Sequence, residues 1–112
     1  MRVEILYFEG CPSFEKLLPH LRELVGQSGG DPDEIVLRAV ETFEVAEEAR
    51  FLGSPTVRVD GIDVDPRAPG RMDFGLRCRL YRSEEGQSPI PPDAWIRAAL
   101  SGKPSSPSQA AG

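Results

Sequence analysis

Residues 3–8, Val-Glu-Ile-Leu-Tyr-Phe, constrain the fold most: five apolar side chains and one charge in six consecutive positions. Such a run has the pattern of a strand buried on both faces, the central strand of a sheet with further layers on either side. It stops at Gly10-Cys11-Pro12. Phe14, Leu17, Leu18, Leu21, Leu24 and Val25 then recur at helical spacing until Gln27-Ser28-Gly29-Gly30 closes the segment. Pro19 falls inside that helix and predicts a kink, because its ring removes a donor and crowds the preceding turn.

The rest of the chain continues the alternation. Residues 34–40 read as a second strand, and Val45, Ala46, Ala49, Phe51 and Leu52 as a short second helix ended by Gly53. Residues 55–59 and 62–64 flank Asp60-Gly61, the strongest short hairpin signal available. A last helix is expected over residues 92–100, with Trp95, Ile96, Ala99 and Leu100 on its buried side. Residues 65–91 are rich in Pro, Gly and Arg and carry one candidate strand at 76–81. We therefore expect one α/β domain over residues 1–100, with an insertion at about 65–91 and a flexible tail over 101–112, whose Ser, Pro, Gly and Ala bury too little apolar surface to order.

Charge and cysteine content narrow the function classes. Thirteen basic and eighteen acidic side chains leave a net charge of -5, the wrong sign for general nucleic-acid binding. No run reaches the ~18 apolar residues that cross a bilayer. Charge within the first five residues also argues against a signal core, so a cytoplasmic location is expected. Two cysteines and one histidine fall short of a four-ligand metal site, and no phosphate loop or Ser-His-Asp set is present. Neither a cofactor nor a bound metal is expected.

The order βαβα, then a hairpin and a helix, with Cys11 after the first strand and Ser54-Pro55-Thr56 opening the hairpin, resembles the thioredoxin superfamily. The likeness covers residues 2–64 and 92–100, and it implies a mixed four-stranded sheet of order 2-1-3-4 flanked by helices. Gly10-Cys11-Pro12-Ser13-Phe14 takes the place of the family's redox motif, and Pro55 that of the cis-proline facing the nucleophilic sulfur. Pro19 corresponds to the family's helix-kink proline. The separations, 8 positions from Cys11 to Pro19 and 44 to Pro55, match as well. By this resemblance Cys11 is the nucleophile, while Pro12, Ser13, Pro55 and Thr56 shape a substrate groove.

The chemistry can be stated without the family. A sulfur at a helix N-terminus faces unpaired N–H groups and the positive end of the macrodipole, an arrangement that favours a thiolate. Pro12 suits the first turn, where its missing N–H costs nothing. The alternative is a small buried hydrophobe, a common fate of free cysteines. Phe14 stands where a dithiol thioredoxin has its second cysteine, so Cys11 has no resolving partner within its own motif.

Cys78 enters through topology. A hairpin that leaves the Cys11 end must return there near Asp65, so the insertion emerges beside the site and can bring Cys78 over Cys11 as a resolving thiol. Packing between Leu76 and Leu80 is the other reading of Cys78. Residues 67–82 hold Arg67, Arg71, Arg77, Arg79 and Arg82 against Asp73 alone, a local charge of +4. Those arginines either attract an anionic partner or pair with Glu41, Glu44, Glu47 and Glu48. Asp60, Asp63 and Asp65 read as a hairpin's polar face, and His20 as a surface residue.

The expected function is thiol–disulfide exchange with a protein or small-molecule thiol or disulfide. The alternatives are a non-catalytic protein-binding module and a two-thiolate site for a soft metal on Cys11 and Cys78.

Overall fold

The structure, a computed structural model, describes residues 2–102. Strand β1 (Val3–Tyr7) is paired along both edges, as its apolar run predicts. On one side β2 (Val36–Ala39) runs parallel to it, with Ile5 opposite Leu37. On the other, β3 (Thr56–Val59) runs antiparallel, with Ile5 opposite Val57. β4 (Ile62–Asp63) pairs with β3, which completes a mixed four-stranded sheet of order β2-β1-β3-β4.

A parallel pair needs a crossover, supplied here by α1 (Pro12–Gln27), which continues through Pro19 without a break. Alternation along the strands divides the core. Val3, Ile5, Val57 and Val59 share a face with Leu17, Leu21, Leu24 and Val25 of α1 and with Ile96 and Leu100 of α3 (Asp93–Leu100). Leu6 points to the opposite face, where it meets Val40, Phe51 and Ala46 of α2 (Phe43–Glu48). Each such aliphatic side chain contributes about 1.5–3 kcal/mol on full burial. The result is a compact α/β domain with three helices on two faces of the sheet.

Several boundaries differ from those read in the sequence. The second strand starts at Val36 because Pro32–Glu34 forms a turn of 3-10 helix, with the Asp31 carboxylate accepting from the Asp33 amide at 2.9 Å. The second helix is capped by Thr42, whose hydroxyl accepts from the Val45 amide at 3.1 Å, and it ends at Glu48 rather than near Gly53. Arg58 donates to the Ala49 and Arg50 carbonyls beyond that end, at 2.5 and 3.1 Å, and so satisfies acceptors the helix leaves open. At the hairpin, Asp60 and Gly61 both have positive φ, 53° and 82°, as a type I′ turn requires.

Residues 76–81 do not form one strand. Cys78 forms a one-residue β-bridge to Ser54, and a separate hairpin of β5 (Tyr81–Ser83) and β6 (Gly86–Ser88) follows. Among the described residues no helix is long and apolar enough to cross a membrane. Residues 103–112, most of the predicted flexible tail, lie outside the described residues.

Candidate functional site

Cys11 is the N-cap residue of α1, with extended backbone, and Pro12 follows at the start of the first turn. Gly10, at φ +83°, makes the turn out of β1 that a residue with a Cβ would resist. The Cys11 side chain is buried, 2% exposed, whereas Pro12 is exposed and Ser13 half-buried. Phe14 lies flat on Tyr7, the last residue of β1, with ring centroids 3.8 Å apart and planes 4° from parallel. That stack gives the Phe14 position a packing role.

The Ser54-Pro55 peptide bond is cis, as expected from the sequence. Because Leu6 faces Thr56 in the β1–β3 register, Pro55 stands at the end of the sheet where β1 runs out toward Cys11. Thr56, however, does not line an open groove. It is fully buried, and its hydroxyl donates to the Gly53 carbonyl at 2.7 Å and accepts from Arg79 at 3.0 Å.

Residues 77–79 of the insertion occupy the backbone beside Pro55. The Ser54 amide donates to the Arg77 carbonyl at 2.8 Å, and the Ser54 carbonyl accepts from the Arg79 amide at 3.0 Å. Cys78 therefore sits opposite Ser54 in a one-residue parallel bridge. Neighbouring strands lie about 4.8 Å apart, so one strand spacing separates the Cys78 backbone from that of Ser54. Gly53 makes the approach possible: at φ +137°, a Cβ there would stand 2.9 Å from the Arg79 Cβ.

A buried ionic cluster holds this segment down. Arg79 is 2% exposed, and its guanidinium donates to Asp63 at 2.7 and 3.3 Å, to Asp65 at 3.2 Å and to Thr56. Its carbon Cζ also lies 4.4 Å from the centre of the Tyr81 ring, a cation–π contact. Burial works against the charge on Arg79, but the carboxylates of Asp63 and Asp65 oppose it and the net shift of its pKa is upward. Burial pushes the Tyr81 phenol well above its ordinary value, against the opposing pull of Arg79. The phenol stays protonated and donates to the Pro55 carbonyl.

This cluster corrects the reading of Asp63 and Asp65 as a solvated polar face; Asp65 is 4% exposed, and both carboxylates bind Arg79. Among the described residues, the insertion's other arginines make no ion pair with Glu41, Glu44, Glu47 or Glu48. Arg71 and Arg77 pair with Asp73, at 2.6 and 3.0 Å. The hydrogen bond from Arg71 holds the Asp73 carboxyl well below the usual carboxylate range. Sequence reasoning missed Arg79 and Tyr81 as anchors. The available signal was parity, since positions 79 and 81 share a side of an extended segment while Cys78 and Leu80 share the other.

Cys78 is exposed, as is Leu80, so Cys78 is not a core-packing residue. Both cysteines are free thiols. Among the described residues no group of three or more His, Cys, Asp or Glu side chains gathers as a metal site. His20 is half-buried and meets Asp93 of α3 at 2.6 Å, a tie between two helices. Compared with known proteins, the chain matches no family model, no curated protein and no solved structure.

Proposed function

We propose that the chain is a thioredoxin-like protein that performs thiol–disulfide exchange with Cys11 and Cys78 as its two reacting thiols. One observation carries the reading: residues 77–79 take both backbone hydrogen bonds of Ser54, next to Pro55, which brings Cys78 to the sheet end where Cys11 caps α1. In the resemblance, that backbone faces a substrate. Here the chain supplies its own segment, and that segment carries a thiol.

The exchange balances with two thiols. A thiolate of the protein attacks one sulfur of a disulfide, a mixed disulfide forms, and the other half leaves with the electron pair and takes up a proton. The second cysteine then attacks the protein sulfur of the mixed disulfide. A bond between Cys11 and Cys78 forms, the second small thiol leaves, and two equivalents of an external thiol, themselves oxidised to a disulfide, return the protein to its reduced state. Both electrons pass between sulfur atoms of thiol and disulfide, so the exchange needs no cofactor.

The stoichiometry tests this. Reduced protein mixed with a limiting small disulfide should release two small thiols per disulfide consumed, whereas Cys11→Ser should release one and keep the other on Cys78. A single thiol released by the unmodified protein, with a stable adduct on it, would contradict the reading.

A further inference from the structure

Beside the exposed Cys78 opens a cavity of about 430 Å³, lined also by Asp65, Arg67, Arg71, Arg77, Leu80 and Arg82. Four of these six neighbours are arginines. The one carboxylate among them, Asp65, is already engaged by the buried Arg79 at 3.2 Å. Asp73 pairs with Arg71 and Arg77, while Arg67 and Arg82 are exposed and make no ion pair among the described residues. The wall is therefore cationic, with two guanidinium groups uncommitted, around a thiol that solvent reaches. Cys11, in contrast, is 2% exposed.

We propose that this cavity seats a small disulfide carrying carboxylate groups, and that Cys78 is the thiol such a molecule meets first. A guanidinium binds a carboxylate through two parallel hydrogen bonds, which fixes the ligand's orientation as well as its position. A cleft of one sign also concentrates oppositely charged ligands and raises their rate of encounter by about 10- to 1,000-fold at low salt. The volume lies in the range of small-molecule pockets, about 300–1,000 Å³, which favours a small molecule over a protein surface. In the step, the Cys78 thiolate attacks the disulfide, a bond from Cys78 to one half forms, and the other half leaves with the electron pair and is protonated. The protein sulfur is oxidised and the departing half reduced. The assignment of Cys11 to the following step rests on the exchange reading above; the selectivity of the cavity does not.

The Cys11→Ser protein leaves Cys78 as the sole thiol and isolates the first step. Its rate of adduct formation is measured by mass spectrometry with dithiodiglycolate, 2-hydroxyethyl disulfide and cystamine, which are anionic, neutral and cationic. Each rate is divided by that of the same protein unfolded in urea, which removes the intrinsic reactivity of the reagent. The normalised rate for dithiodiglycolate should exceed that for the neutral disulfide by about tenfold or more, with cystamine slowest. Arg67→Gln together with Arg82→Gln, or molar salt, should bring the three rates together. Equal normalised rates in the parent protein, or a preference for the anion that survives both arginine substitutions, would overturn the proposal. Failure of the exchange reading is separately visible, because the unsubstituted protein would then select the anion and yet retain it on Cys78.

Discussion

The two cysteines stand in regions that are held together by opposite means. Around Cys11 the structure rests on apolar periodicity: β1 is buried on both faces, α1 presents Leu17, Leu21, Leu24 and Val25 to the sheet, and Phe14 stacks on Tyr7. Around Cys78 it rests on ions, because the segment is fixed by Arg79 bound to Asp63 and Asp65 beneath it. Loss of one apolar contact leaves a cavity that neighbouring side chains can partly fill, whereas a buried ion pair that loses one partner leaves an uncompensated charge. The position of Cys78 therefore depends on a few polar anchors, Arg79 first among them and Tyr81 beside it, and that of Cys11 on many apolar contacts.

Arg79→Met should test this difference most severely. It keeps most of the volume but leaves the Asp63 and Asp65 carboxylates without their cation, and we expect a loss of about 3–5 kcal/mol in urea unfolding. Hydrogen exchange at the Ser54 and Arg79-position amides should accelerate together, since both bonds belong to the same bridge. Adding Asp63→Asn and Asp65→Asn should restore part of the stability without restoring that protection. A substitution at Arg79 costing less than 1 kcal/mol would remove the contrast between the two regions.

Gly53→Ala acts on the same region through the backbone. The residue must hold φ +137° with its new Cβ 2.9 Å from that of Arg79, so a cost of about 1–3 kcal/mol is expected, with loss of protection again at 77–79. Phe14→Ala probes the other region. Loss of the stack on Tyr7 should lower stability by about 1–2 kcal/mol while leaving exchange at Ser54 and residue 79 unchanged. Asp73→Asn should have the smallest effect, below about 1 kcal/mol near neutral pH, because Asp73 is an exposed partner of Arg71 and Arg77. Its carboxyl is lowered in the folded protein, so its contribution is complete above the ordinary carboxylate pKa of about 4 and disappears as pH falls below it. The difference between the two proteins in urea should accordingly vanish in acid.

The same contrast explains what could be read from the sequence. The succession of elements along the chain, the hairpin at Asp60-Gly61 and the helix from Pro12 follow from local patterns of period two and 3.6, the sheet order 2-1-3-4 is what the resemblance implies, and each has its counterpart in the structure. The resemblance sets Cys11 against Pro55, and the β1–β3 register puts Pro55 at the end of the sheet where β1 runs out toward Cys11. The sequence predicts too long a second helix because Ala49, Phe51 and Leu52 continue its apolar pattern, although Arg50 leaves helical geometry at φ 55°. Gly53 reads as a helix stop, yet its real demand is the close approach of Arg79, 26 residues later in the chain. Parity sets Arg79 and Tyr81 on the side away from Cys78, but the acidic partners of the ionic cluster are not legible in the sequence. Asp63, Asp65 and Arg79 are unremarkable as surface residues, and only the fold brings them together under Cys78.

Exchange through both thiols requires Cys11 and Cys78 to reach each other, and disulfide mapping of gently oxidised, dilute protein tests that most directly. A disulfide needs Cα atoms within about 7 Å, so the insertion must deliver Cys78 close to the α1 N-terminus for the bond to form. The predicted result is a monomer without free thiols that yields one proteolytic fragment pair joined through Cys11 and Cys78, and no such pair in Cys11→Ser or Cys78→Ser. A monomer in which both thiols are still alkylated in full, or disulfides found only between chains, would contradict it.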